Sequence, residues 1–209
     1  MDKRFILPKN LIVLISGVPG VGKTTISYQL LKIYSQFRLI EETDVMREIL
    51  RGYNNYLESV YKLSVDNIYS HDIFLSYEMA KQQCSIMKNS IINIIKRQQR
   101  KEISTIINGV HIIPEELCRE ISFPNVLYIN LYIDSEKELW NRLKKRDSTK
   151  YRQNCVSLLY QTNIALDKSI YKIQKKSCMV YSINVSTLSI QETLFEINKI
   201  FYQIYKELK

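Results

Sequence analysis

Short apolar runs alternate with longer amphipathic segments along the chain. The short runs are rich in β-branched and aliphatic residues, which is typical of buried strands, and they lie at residues 11–15, 37–41, 105–107, 126–133 and 179–183. Between the strands, apolar residues recur at steps of three and four, as from Ile73 to Ile94, so we expect them to pack in a core. Strands that alternate with helices predict an α/β domain with a parallel sheet.

The helical segments have recognisable ends. We predict helices at residues 24–34, 45–51, 71–100, 135–146, 156–176 and 191–208. Gly52 is expected to end the short helix at 45–51. The chain contains no internal repeat, low-complexity tract or Pro/Ser-rich linker, so we expect residues 1–209 to form a single domain.

Composition narrows the class of protein. With 209 residues, 45% hydrophobic and 24% charged, the chain can bury a core and is not expected to be disordered. Its four cysteines form no CxxC pair, which excludes a zinc ribbon and favours reduced thiols in the cytoplasm. The N-terminal residues contain no apolar run of signal-peptide or membrane-spanning length, so we expect no membrane partner.

The charge balance favours anionic partners. Thirty Lys and Arg stand against 21 Asp and Glu, a net charge of +9. Phosphorylated metabolites, nucleotides and nucleic acid all suit such a charge, and solubility alone is the alternative interpretation.

The strongest chemical signal directly follows the first predicted strand. It matches G-x-x-x-x-G-K-[ST], a phosphate-binding loop, and consists of Gly17, Val18, Pro19, Gly20, Val21, Gly22, Lys23 and Thr24, with Thr25 next to it. In such a loop, backbone N–H groups and the helix N-terminus bind phosphates. Lys23 is expected to reach the β- and γ-phosphates, and Thr24 to hold Mg²⁺ through its hydroxyl.

Acidic and basic residues follow the second predicted strand. Glu42 and Asp44 lie at its carboxyl end, where ligands bind in open α/β sheets. Arg47 and Arg51 follow on one helical face, and arginine binds carboxylate or phosphate through two donors. We therefore expect a substrate site here. The alternatives are that Asp44 only caps the next helix and that both arginines are solvated surface charges.

A glycine and a histidine follow the third predicted strand. Gly109 suits a close approach of backbone to a ligand, and His111 is one of only two histidines. We predict that both residues contact the substrate. A purely structural role for His111 is the alternative.

Three blocks of sequence together resemble the 2-phosphoglycerate kinases and their bacterial relatives. The blocks lie at residues 17–26, 43–51 and 107–114. The resemblance implies an adenylate-kinase-like P-loop NTPase, a three-layer α/β/α fold with a five-stranded parallel sheet in the order 2-3-1-4-5. It also implies a helical lid around residues 142–155 and a helical acceptor-side region around residues 45–100.

The same resemblance implies roles for the polar residues. Glu42 would hold a magnesium-bound water, and Asp44 would accept a hydrogen bond from the acceptor hydroxyl as base or orienter. In the basic segment of the lid, Arg146 would contact the transferring phosphoryl group, with Arg142 and Arg152 as further candidates. A solvated basic helix face is the competing interpretation of this segment.

The leading hypothesis is therefore an ATP-dependent kinase that uses Mg²⁺ and phosphorylates a hydroxyl of a small anionic metabolite resembling 2-phosphoglycerate. The alternatives are a zeta-toxin-like, nucleoside or nucleic-acid-end kinase, and a nucleotide-gated switch. Asp44 with Arg47 disfavours a switch, because a switch needs no acceptor site. The net charge keeps nucleic acid as a less favoured partner.

Overall fold

A computed structural model describes residues 6–61, 76–121, 124–147, 151–173 and 179–206. Its strands are β1 (Ile12–Ser16), β2 (Leu39–Glu42), β3 (Thr105–Asn108), β4 (Val126–Tyr132) and β5 (Met179–Asn184). Its helices are α1 (Lys23–Ile33), α2 (Thr43–Tyr61), α3 (Tyr77–Arg100), α4 (Pro114–Leu117), α5 (Glu136–Arg146), α6 (Gln153–Ile173) and α7 (Ile190–Tyr205).

The strands within these ranges form one parallel sheet in the order β2-β3-β1-β4-β5, which confirms the predicted topology. β1 lies at the centre, between β3 and β4, and is buried throughout, because helices cover both faces of the sheet. The register places Ser16 opposite Asn130, and Asn108 opposite both Ile15 and Glu42. The carboxyl ends of four strands therefore meet along one edge of the sheet.

Helices cover both faces of the sheet and complete the predicted three layers. α1 packs with α7 and contacts β1 and β3, whereas α3 packs with α6 and contacts β1. The helical stripe predicted for the core is confirmed where it is described, since Ala80, Cys84, Met87 and Ile91 are all buried. Ile73 lies outside the described residues. None of the described helices is both long and apolar enough to cross a membrane.

The prediction for the second helix is wrong at its C-terminal end. α2 continues past Gly52 to Tyr61, and Gly52 does not adopt the left-handed conformation that would end a helix. A glycine inside a helix costs only about 1 kcal/mol relative to alanine, too little to stop the helix by itself. The short α4 was not predicted either, because its four residues are too few for a helical period. Of the predicted acceptor-side region, residues 62–75 lie outside the described residues.

Candidate functional site

The predicted phosphate-binding loop connects the central strand to α1. Gly20 and Gly22 have φ angles of 92° and 97°, in the left-handed region that glycine adopts without strain. A Cβ at Gly17 would overlap the carbonyl oxygen of Leu131 in β4, so the loop lies tightly against the neighbouring strand. Val18 and Val21 are buried. They anchor the loop in the core and leave their backbone, not their side chains, for a ligand.

Lys23 begins α1 and points back over the loop. Its Nζ donates a hydrogen bond to the Val18 carbonyl over 3.0 Å. Burial lowers the pKa of Lys23 to about 8; the carboxylate of Asp44 opposes this shift, Arg146 adds to it, and Glu42 opposes it. An anion beside Nζ would therefore stabilise the charged form of this lysine. Thr24 and Thr25 are exposed in the next turn, as a ligand-binding role requires.

The two predicted acids lie beside this lysine. Glu42 is the last residue of β2, and Asp44 is the second residue of α2. Asp44 lies inside the helix and does not precede it, so the alternative of a simple N-cap does not describe its position. Its side chain is 59% exposed, which leaves the carboxylate accessible. The structure thus brings Lys23, Glu42 and Asp44 within electrostatic reach of one another.

His111 lies behind Asp44 and is fully buried. Its Nδ1 is 3.0 Å from Thr43 Oγ1 and 3.7 Å from Asp44 Oδ1, and its Nε2 is 2.7 Å from Gln83 Oε1. Burial lowers the pKa of His111 to about 4 despite the neighbouring carboxylate of Asp44, so the ring is neutral near pH 7. With both ring nitrogens engaged and no exposed surface, His111 holds neighbouring protein groups. The predicted contact with substrate is not available to it in this structure.

Gly109 makes the close approach that was predicted, but to a protein group. A Cβ at this position would overlap the Thr43 side chain. The missing side chain therefore lets the start of α2 lie directly against the end of β3. We predicted a ligand contact here because the sequence does not reveal that Thr43 fills this space.

The two arginines of α2 share a carboxylate. Glu48 accepts hydrogen bonds from Arg47 Nη2 over 3.1 Å and from Arg51 Nη1 over 2.8 and 3.0 Å. Both arginines are at most 26% exposed, so neither is a fully solvated surface charge. Arg47 is close enough to His111 to lower its pKa further. Its Nε is buried without a hydrogen-bond partner among the described residues.

The arginines of the basic segment around residues 142–152 have different surroundings. Arg142 is bound to protein groups: it donates to Glu138 over 2.7 Å and to the carbonyl oxygens of Val185 and Ser186 over 2.6 and 3.1 Å. Arg146, the last residue of α5, is exposed and lies near enough to Lys23 to affect its pKa.

The other end of the basic segment contains Tyr151 and Arg152. Arg152 is exposed, and the neighbouring Tyr151 is buried. Burial raises the pKa of Tyr151, and the charges of Arg146, Asp147 and Asp44 also act on it. Tyr151, which precedes α6, therefore lies near enough to Asp44 for that carboxylate to act on its pKa. Residues 148–150, in the middle of the predicted lid, lie outside the described residues.

A buried polar network behind the loop was not predicted. Ser16 Oγ donates to Asn130 Oδ1 over 2.8 Å, Asn130 Nδ2 donates to Ser182 Oγ over 3.2 Å, and Ser182 Oγ donates to Asp167 over 2.5 Å. The sequence did contain a signal for this network: Ser16 and Asn130 are polar residues within buried strands, where polar groups need hydrogen-bond partners. The network ties the ends of three neighbouring strands together beneath the loop.

The residues present fit a magnesium–nucleotide complex. Thr24 is exposed in the first turn of α1, and Glu42 lies at the adjoining strand end beside Lys23. Within the described ranges, no three His, Cys, Asp or Glu side chains form a metal-binding group. Mg²⁺ needs no such group, since it keeps several waters and is bound by one or two protein oxygens together with substrate phosphates.

Comparison with known proteins agrees with this geometry. A family model described as an AAA domain matches residues 13–163. A 2-phosphoglycerate kinase of Methanopyrus kandleri is 29% identical over 150 residues, which cover 67% of this chain and 45% of that relative. A thymidylate kinase of Ureaplasma parvum serovar 3 is 23% identical over 220 residues, covering 97% and 94%. The chain thus spans about half the length of the 2-phosphoglycerate kinase.

A solved structure, a gluconokinase from Sinorhizobium meliloti 1021, superposes with a TM-score of 0.57 at 14% identity, covering 96% of this chain and 97% of that one. This likeness concerns the fold. The family match spans more than half of the chain and includes the phosphate-binding loop, Asp44 and His111. The chain therefore belongs to the AAA domain family, and its fold and relatives are those of P-loop small-molecule kinases.

Proposed function

We propose that this protein is an ATP-dependent kinase that transfers the γ-phosphoryl group to a hydroxyl of a small anionic metabolite resembling 2-phosphoglycerate. The observation that carries the proposal is the proximity of an exposed carboxylate, Asp44, to the lysine of the phosphate-binding loop, Lys23. A nucleotide-gated switch needs the lysine but has no use for an acid at the acceptor side of the loop.

The donor end would bind ATP through the loop backbone and Lys23. The left-handed conformations of Gly20 and Gly22 suit a loop whose backbone N–H groups bind phosphate oxygens. Lys23 Nζ would exchange the Val18 carbonyl for the β- and γ-phosphates. Mg²⁺, held by the Thr24 hydroxyl and through a water by Glu42, would neutralise charge on these phosphates.

The acceptor end would orient and activate the hydroxyl. Asp44 would accept the hydroxyl proton while the oxygen forms a bond to the γ-phosphorus and the bond between this phosphorus and the β–γ bridging oxygen breaks, releasing ADP. The carboxylate is exposed and near enough to Lys23 to act on its pKa, so it is available to a substrate beside the phosphate-binding loop. Arg146, exposed at the end of α5, would stabilise charge on the transferring group.

Arg47 would select the charge of the acceptor. It lies one turn after Asp44, and its buried Nε has no hydrogen-bond partner among the described residues. An unpaired buried donor on a guanidinium favours an anionic ligand, since a carboxylate or phosphate would satisfy it. This supports an acceptor that carries an acid group beside its hydroxyl.

The test is phosphorylation of a panel of acceptors with labelled ATP and Mg²⁺. The panel contains 2-phosphoglycerate, D-gluconate, thymidylate, neutral sugars and oligonucleotide ends. We expect the highest kcat/KM with a small phosphorylated or carboxylated alcohol. A neutral best acceptor, or ATP hydrolysis without transfer to any acceptor, would overturn the proposal.

Thymidylate phosphorylation is the second candidate, and one observation favours it. The similarity to the Ureaplasma parvum thymidylate kinase spans nearly all of both chains, whereas the 2-phosphoglycerate kinase similarity does not. The acceptor of that reaction is a phosphate, so it needs no base. Asp44→Asn separates the two candidates: it should greatly slow transfer to a hydroxyl, and it should affect transfer to a nucleotide phosphate much less.

A further inference from the structure

A chain of buried polar side chains links α3 to the start of α2. Gln83 of α3 and Thr43 of α2 are both buried, and each lies within hydrogen-bond distance of one ring nitrogen of His111. We propose that Gln83 is a positioning residue for phosphoryl transfer: it fixes which nitrogen of His111 carries the proton, and His111 thereby holds the start of α2 so that Asp44 faces the acceptor. This inference rests on the proposed function.

The hydrogen bonds determine the tautomer. Gln83 Oε1 can only accept, so the nitrogen 2.7 Å away, Nε2 of His111, carries the proton. Nδ1 then has a free lone pair, and the Thr43 hydroxyl 3.0 Å away donates to it. In the opposite tautomer an N–H at Nδ1 would point toward Thr43 and toward Asp44 Oδ1, 3.7 Å away. That N–H would compete with the hydroxyl of the phosphoryl acceptor for the carboxylate of Asp44.

Charged groups of two helices act on the pKa of His111. Asp44 of α2 favours the protonated ring, whereas Arg47 of α2 and Lys23 of α1 oppose it, and α3 contributes the neutral amide of Gln83. Burial makes the largest contribution and keeps the pKa of His111 near 4. A carboxylate placed at position 83 would accept from Nε2 equally well, but it would add a negative charge that favours the doubly protonated ring.

The decisive variant is therefore Gln83→Glu, which keeps the size and the accepting oxygen and changes only the charge. In the wild type, His111 stays neutral between about pH 5 and 8 and gives no inflection in kcat. In Gln83→Glu the pKa of His111 should rise by about one to three units, because a carboxylate lies beside the ring. The ring then becomes protonated as the pH falls through this higher value, so kcat should drop at the acidic side while the KM for ATP is unchanged.

Gln98→Glu is the matched control. Gln98 is also buried on α3 and also becomes a carboxylate, but it lies 15 residues further along the helix, ~22 Å away at 1.5 Å per residue, next to Arg97. Its pH profile should coincide with that of the wild type. A general loss of stability would alter both variants, whereas loss of the proposed positioning alters only Gln83→Glu.

Imidazole ¹⁵N NMR gives a readout that does not depend on activity. The chain has two histidines, so the signals of His111 can be assigned by comparison with His111→Gln. We expect a protonated Nε2 and an unprotonated Nδ1 in the wild type. A proton on Nδ1, or an unchanged pH profile of Gln83→Glu in an enzyme whose wild type is active, would overturn the inference alone. A wild type that phosphorylates no acceptor would overturn the proposed function and the inference with it.

Discussion

The donor and acceptor ends of the site are built in different ways. The donor end is one continuous stretch, residues 17–24, whose shape depends on backbone conformation and on two valines buried in the core. The acceptor end combines side chains of α2, α3 and the loop after β3, joined by hydrogen bonds. The donor end should therefore depend on side chains that contact the ligand or its Mg²⁺, above all Lys23, whereas the acceptor end should respond to changes at several positions that never contact the ligand.

The largest expected effect is that of Lys23→Ala. The lysine supplies the only side-chain charge that we assign to phosphate binding in the loop, and the loop backbone does not need it to keep its shape. Turnover should fall to the limit of detection, with an unchanged circular dichroism spectrum. Near-normal turnover would contradict both the kinase proposal and the assigned donor end.

Asp44→Asn should produce the next largest effect, on the acceptor end alone. A general base typically contributes about 10²–10⁴-fold, so kcat should drop by that range while the KM for ATP stays constant. Asn is nearly isosteric, so the variant should fold normally. Steady-state kinetics with both substrates varied is the measurement, and a fully active variant would leave Asp44 with a structural role only.

Gly109→Ala tests whether the acceptor end depends on close packing. The new Cβ would overlap Thr43 and push α2 away from β3. Overpacking typically costs about 1–3 kcal/mol, which urea denaturation can measure. Gly52→Ala is the matched control: its Cβ would meet no atom within 4 Å in the middle of α2, so it should stabilise the fold by up to about 1 kcal/mol. Equal effects of the two substitutions would refute the packing argument.

Arg47→Lys should have the smallest effect. It keeps the charge but loses the geometry of the guanidinium group. The KM for the acceptor should rise about tenfold, the equivalent of one charge-assisted hydrogen bond, and the KM for ATP should not change. Arg51→Lys, one turn further from Asp44 on the same helix, should raise the KM for the acceptor less, because its guanidinium lies further from the acceptor hydroxyl. A similar response of the two variants would remove Arg47 from the acceptor site.

The features that could be predicted from the sequence are those determined by residues close to one another along the chain. The strands are confirmed because hydrophobic period is a local signal, whereas the strand order, which is also confirmed, was implied by the family resemblance. The partners of Arg142 could not be predicted, because the carbonyl groups that it binds lie 43 and 44 residues further along the chain. Gln83 was overlooked because a single amide within an amphipathic helix gives no signal before the fold brings it to His111.

The difference between local signals and contacts between distant residues also explains which residues of the acceptor end could be predicted. Asp44 and Arg47 follow a predicted strand directly, so their location at the carboxyl edge could be inferred. The partners that orient them come from elements distant in sequence. For His111 we predicted a contact with a ligand. The sequence does not show that the side chains of Thr43 and Gln83 lie within hydrogen-bond distance of its two ring nitrogens.

The contact between Gly109 and Thr43 also restricts the order in which amino-acid substitutions can accumulate at this site. A side chain at position 109 has space only after Thr43 has become smaller, yet a smaller residue at 43 that lacks a hydroxyl leaves Nδ1 of His111 without its donor. Serine at 43 keeps the hydroxyl but removes only the methyl group, which does not clear the space that the hydroxyl itself occupies. Each single substitution at position 43 or 109 is therefore unfavourable, and a new acceptor specificity would be reached more easily through Arg47.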